Sequence, residues 1–260
     1  VLSVIRSGLA AATQEIAVVS NNMANAGTTG FKRSTAMFQD VYSHGLSDAS
    51  ISGLGSGAQP LAARRSHAPG SIEISGMTLD MAVLGPGMFV LEPRAGDGET
   101  GYTRSGAGSL DAAGRIVNSE GRAFLDPSGN PITVPAAMSF EDGRRSLLTA
   151  LNISGDGAVR ATYGDSGEML LGRLALARFR NETALRSRGE AIFAATDAAG
   201  AAQLAPAGTP GFGTIQSGAL ETSNTDLTSE LVSLIRAQQT FSSNAKALQT
   251  AVDMDKRMVD

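Results

Sequence analysis

The sequence predicts an α+β fold, with N- and C-terminal helices forming a coiled-coil unit around a mostly antiparallel β middle domain. Three observations carry this. Apolar residues at both ends repeat three and four apart. The middle is a series of short apolar runs cut by turn residues. The chain has 260 residues with 31 Gly, no Trp and 5% aromatics, a composition that suits tight-turned β structure better than a dense helical core.

The first helix is drawn by Leu2, Ile5, Leu9, Ala12, Ile16, Val19 and Met23, an a/d seam of about three heptads. It leaves through VVSNNMANAGTTGFKRS at 18–34. Amide side chains donate and accept together. Asn21, Asn22 and Asn25 are therefore read as satisfying backbone groups or neighbouring helices, not a substrate. Gly27 and Gly30 let the chain stop being helical, Phe31 anchors the turn, and Lys32 and Arg33 lie in solvent or on a neighbouring acid.

Residues 37–70, rich in Ser, Gly and Ala from 43 onward, are expected to be a flexible connector. Strands follow at 71–74, 88–92, 115–118, 123–126, 132–134, 151–154, 159–163, 172–179 and 191–196. Turns are marked by Asp111 to Gly114, Asp126 to Asn130, Asp156-Gly157 and Gly164 to Gly167. A second Ala, Gly and Pro-rich connection, 197–213, leads to the last helix. Cap candidates Ser223, Asn224 and Thr225-Asp226 start that helix. Its seam is Leu227, Leu231, Leu234, Gln238, Phe241, Ala245, Leu248 and Val252. The expected organisation is a terminal helical assembly domain of 1–36 plus 218–260, a connector at 37–70, and a β-rich outer domain at 71–217. Isolated helices of this kind are marginal in water, so the ends are expected to order mainly in an assembly. The assembly interface is assigned to the seam residues together with Asn21, Asn22 and Asn25, and the joint to Gly27, Gly30 and Phe31.

Catalytic chemistry is poorly supplied. The absence of Cys excludes disulfides and thiolate sites. His44 and His67 are the two imidazoles, with no carboxylate at motif spacing, so neither a triad nor a two-His metal site is supported. Glu141-Asp142 reads as a charged turn. GLGSGA at 53–58 follows no strand and opens no helix, as a dinucleotide loop must. With three lysines and a net charge of −4, no nucleic-acid face is expected. No cofactor, metal or small-molecule substrate is implied. The N-terminal stretch, with Arg6 and Gln14-Glu15, is a poor signal peptide, and no run is expected to span a membrane.

Three separated motifs resemble the bacterial flagellar rod and hook proteins. SNNMANAGTTGFKR is similar to the family's first-helix signature. LDMAVLGPGMFVLE at 79–92, with Tyr102 to Gly106 and 109–117, is similar to its central segment. GALETSNTDLTSELVSLIRAQQTFSSNAKALQT at 218–250 resembles its C-terminal signature. The sequence departs from the pattern at Met88, Ala107-Gly108, Thr225 and Gln239. The resemblance implies a structural axial subunit, of distal rod type before proximal rod type. Such a subunit polymerises through its terminal helices into a hollow, torque-transmitting shaft that crosses the periplasm. It implies partners among itself, other rod and hook proteins and the flagellar type III export apparatus, with no cleaved signal peptide. A hook-type subunit is the alternative, and a β-scaffold hydrolase with a helical oligomerisation element is a more distant one.

Overall fold

The computed structural model describes residues 2–42, 55–94, 96, 98–139, 145–164 and 167–259. The described residues fall into two compact units. The helical unit is Val1–Ala26, Arg33–Ser66 and Thr225–Asp260; the β unit is Gly27–Lys32 and His67–Asn224.

The helical unit contains α1 (Leu2–Ala24), β1 (Ser34–Tyr42) and β2 (Gly55–Arg65). Its second helix, Leu227–Val259, is α2. The helices run antiparallel. Gly8 lies against Asn244 and Asn22 against Glu230, so moving up one helix moves down the other. Small residues make the contact. Ala12 and Ala237 are buried, and a Cβ on Gly8 would stand 2.9 Å from the Asn244 amide. Small residues allow two backbones to approach, so this face is closed without its leucines.

Strands β1 and β2 pair antiparallel with two register shifts. The expected connector at 37–70 is therefore corrected where it can be seen: 34–42 and 55–65 are paired strands. Main-chain bonding satisfies a polar, small-residue segment without an apolar core. Packing on α1 adds to this, because Ser7 Oγ accepts from Ala58 N at 3.2 Å. His44, Glu141-Asp142 and the start of GLGSGA lie outside the described residues; 55–58 are strand, not a phosphate loop. By length and composition alone α1 reaches the range of a membrane-spanning helix, which is weak evidence that it spans one. By composition, a core helix packed against another helix passes the same test.

The β unit opens with β3 (Ile72–Ile74), β4 (Met81–Leu84), β5 (Met88–Leu91), β6 (Gly101–Thr103), β7 (Ser109–Leu110) and β8 (Ile116–Val117). It continues with β9 (Ala137–Ser139), β10 (Arg145–Ile153), β11 (Ala158–Tyr163), β12 (Glu168–Arg173) and β13 (Ala175–Arg178). It closes with β14 (Arg186–Gly189), β15 (Ile192–Ala194), β16 (Gln203–Pro206), β17 (Thr214–Ser217) and β18 (Ala219–Glu221). All described pairings are antiparallel. One sheet runs β14-β15-β6-β5-β13-β16 and another β12-β11-β10-β9, with two-stranded pairs β17-β4, β18-β3 and β7-β8.

Side chains alternate faces along a strand, and β5 is covered on both. Phe89 and Leu91 enter one core with Phe124, Ile132, Val159 and Leu176. Met88 and Val90 enter another with Tyr102, Phe179 and Phe193. That double burial is why 88–91 reads as a continuous apolar run. The expected strands at 123–126 and 132–134 are reduced to single bridges. The run 172–179 is broken at Leu174, whose N–H bonds Gly157 O instead of a strand partner. The connection at 197–213 contains β16.

Candidate functional site

The exit from α1 is built by its asparagines, each differently. Asn22 is 1% exposed. Its Nδ2 donates to Ser34 O at 2.7 Å and to Glu230 Oε2 at 3.2 Å, and its Oδ1 accepts from Ser34 N at 2.9 Å. One amide thereby joins the last turn of α1, the start of β1 and the first turn of α2. Glu230 is itself buried, and Arg33 lies 3.5 Å from its carboxylate. Asn25 donates from Nδ2 to Asn21 O at 2.9 Å and serves the helix end, while the side chain of Asn21 is exposed. Among the cap candidates, Asp226 caps α2: its Oδ1 accepts from Ser229 N at 2.7 Å.

The predicted seam residues separate into two groups. On α1, Val19 is buried, and Leu2, Ile5, Leu9, Ile16 and Met23 are half-buried. On α2, Leu234 and Leu248 are half-buried. Leu227, Leu231, Gln238, Phe241 and Val252 are exposed, and so are Ile235 and Val232, which the seam did not include. At about 100° per residue, the row Leu227, Leu231, Ile235, Phe241 and Val252 lies roughly a quarter turn from the face holding Glu230, Ala237 and Asn244. So α2 has two adjoining stripes. The small, polar one meets α1. The large apolar one is left open, with Leu227, Leu231 and Ile235 at 52%, 47% and 53% exposure.

The joint residues also divide. Gly30 has φ +68°, and a Cβ there would stand 2.5 Å from Ser105 N. Only glycine fits both constraints. Gly27 is exposed, has no positive φ, and a Cβ on it would meet nothing within 4 Å. Of the two glycines expected to let the helix end, only Gly30 is required by the backbone. Phe31 is half-buried, and its carbonyl accepts from Asn224 N.

Within the β unit lies a buried ion cluster, which gives Lys32 the neighbouring acid that was one of its two expected settings. Lys32 is not in solvent: its side chain is 0% exposed and pairs with Glu221, itself 1% exposed, while Nζ also donates to Ala68 O at 2.8 Å. Glu221 Oε1 accepts from Gly70 N at 3.0 Å, and Arg104 Nε lies 3.6 Å from Oε2. Arg104 is held by Val83 O and Gly85 O at 3.3 and 2.9 Å. Burial pushes the Lys32 pKa down, and the hydrogen bond and charge of Glu221 oppose that shift. Beside Arg104 lies a cavity of about 280 Å³ lined by His67, Pro69, Pro86 and Glu182. The His67 ring meets Phe193 edge-on at 5.2 Å, a packing role. Among the described residues no group of three His, Asp or Glu could hold a metal ion.

Comparison with known proteins gives matches along the chain. The model described as flagella basal body rod protein matches residues 2–32. The flagellar hook protein FlgE/F/G D1 domain matches 82–161, and the flagellar basal body rod FlgEFG protein C-terminal model matches 216–260. The flagellar basal-body rod protein FlgG of Caulobacter vibrioides is 36% identical over 262 residues, covering 95% of this chain and 94% of that protein. FlgG of Agrobacterium fabrum is 32% identical over 266 residues, 97% and 95% respectively. The flagellar hook protein FlgE of Salmonella typhimurium is 44% identical over 103 residues, 40% of this chain and 26% of that protein. Among solved structures, the Helicobacter pylori flagellar hook protein FlgE2 aligns over 55% of this chain and 43% of its own, with a TM-score of 0.26 and 13% identity.

Proposed function

The chain belongs to the flagellar basal-body rod and hook family, and from that premise we propose that it is a structural axial subunit of the bacterial flagellar rod. Rod relatives match it nearly end to end, whereas the hook likeness spans 103 residues. The rod reading is therefore preferred to the hook-type one.

One observation carries the mechanism. The pair α1–α2 closes on its small-residue face and leaves Leu227, Leu231 and Ile235 about half exposed. Burying such side chains against a neighbouring subunit contributes roughly 1.5–3 kcal/mol each. Repetition along a polymer multiplies contacts of this kind. In this reading the helices form a coiled-coil-like wall of a hollow torque-transmitting shaft. The subunit works in the basal body across the periplasm, beside other rod and hook proteins. It reaches that position through the flagellar type III export apparatus. Its role is mechanical, not enzymatic.

The test is Leu231→Asp with Ile235→Asp in cells lacking the native protein. Both side chains face solvent in the single subunit, so the purified variant keeps its helical signal and melting behaviour. Assembly of the rod and swimming are lost. Normal swimming by a stably expressed variant would overturn the interface.

A further inference from the structure

The chain passes between its two units after Ala26, Lys32, Ser66 and Asn224. The β unit therefore owns three short junction segments: 27–32, the stretch starting at His67, and the stretch ending at Asn224. Lys32, Ala68, Gly70, Glu221 and Asn224 belong to them, and these residues bond to each other. Ala68 O accepts from Lys32 Nζ at 2.8 Å and from Asn224 Nδ2 at 2.9 Å. The Glu221 backbone carbonyl accepts from Gly30 N at 2.7 Å, and its carboxylate takes Lys32 and Gly70 N. Asn224 N donates to Phe31 O at 3.4 Å.

We infer that the Lys32–Glu221–Arg104 cluster is a lock that closes the three junctions of the β unit as one cooperative step. Glu221 is buried, and its Oε2 has no hydrogen bond among the described residues, only Arg104 at 3.6 Å. If 27–32 withdraws, Glu221 loses its main counter-charge. If the segment at 221 withdraws, Lys32 and Arg104 are left as two buried cations, with Glu182 as a weaker opposite charge. A buried pair often adds little net stability compared with an apolar pair, but breaking one costs far more. The arrangement therefore separates fully closed from partly open junctions more than it stabilises the closed one. Each member comes from a different family-matched segment: Lys32 from 2–32, Arg104 from 82–161 and Glu221 from 216–260. The lock acts inside a single subunit, so it holds or fails independently of polymerisation.

Amide hydrogen exchange on the full-length monomer tests it. Lys32→Met should speed exchange at Gly70 and Asn224 about tenfold or more, though Lys32 bonds to neither amide. Phe124 and Ile132 in the core should stay within about twofold of wild type. Asn224→Ala is a milder variant at a half-buried side chain and keeps every charge. It should speed Gly30 and Gly70 together, several-fold. Wild-type protection at Gly70 and Asn224 in Lys32→Met would overturn the lock. So would equal acceleration at the junctions and in the core, or an Asn224→Ala effect confined to its own neighbours.

Discussion

Gly27 and Gly30 stand three residues apart in one loop and are unequal. At Gly30 a side chain would meet both a left-handed backbone and the Ser105 amide. Gly30→Ala should therefore cost about 1–3 kcal/mol, because the strain cannot be relieved by moving one flexible side chain. Gly27→Ala should stay within about 0.5 kcal/mol of wild type. Urea unfolding followed by tyrosine signal checks both, and equal effects would mean that the loop is not set by Gly30. Both glycines were visible in the sequence as a joint, but which one mattered was not. That depends on Ser105, which reaches the loop only through the fold. The same limit hid the partner and the burial of Lys32. Its partner Glu221 lies 189 residues away, and no local pattern around either residue signals burial. A lysine after Gly-Phe and before Arg reads as lying in solvent or on a neighbouring acid, and the acid and its burial are set only when the strand carrying Glu221 is brought beside it.

At the scale of elements, legibility follows how local the physics is. The turns at Asp111, Asp126 and Asp156 were readable because each aspartate bonds amides two to four residues ahead. Strand β5 was readable because burial on both faces demands an unbroken apolar run. Strands β1 and β2 were not, since their pairing and their contact with α1 tolerate small polar residues. Both helices were found, and the seam drawn on α2 lies about a quarter turn from the face that α2 presents to α1. On α1 the periodic pattern included Ala12, which is buried, but it did not pick out Gly8 or Ala237. This division is testable at Ala237, 1% exposed. Ala237→Leu adds three carbons where two backbones approach, so it should destabilise the helix pair by about 1–3 kcal/mol. Ile235→Ala, on the open stripe, should change the isolated subunit by less than about 0.5 kcal/mol. Thermal melts at 222 nm distinguish them. If Ala237→Leu melts like wild type, the helices do not pack as closely as described.

For the whole molecule, the two units rest on unlike materials. The β unit holds two aromatic-rich cores, with Phe89 edge-on to Phe124 at 5.6 Å and Tyr102 to Phe179 at 4.8 Å. The helical unit is closed by small residues, a buried amide and a short hairpin, and it leaves its large apolar stripe in water. Helices without a buried stripe are marginal, and a chain with two separate cores need not unfold in one step. The isolated subunit should therefore melt in two stages, with ellipticity at 222 nm falling first. The near-ultraviolet tyrosine signal should follow at higher temperature. With no Trp, that signal reports chiefly on Tyr102 and Tyr163, both buried in the β unit. Assembly adds a further condition. A partner that binds only the folded helical unit raises its transition by mass action. The first stage should then move upward as subunit concentration crosses the threshold for polymerisation, while the tyrosine stage moves much less. Coincident transitions in the dilute monomer would mean that the helical unit is stabilised within one chain to the same degree as the β unit. The open stripe would then be surplus to folding, without being a source of order that the neighbouring subunit supplies.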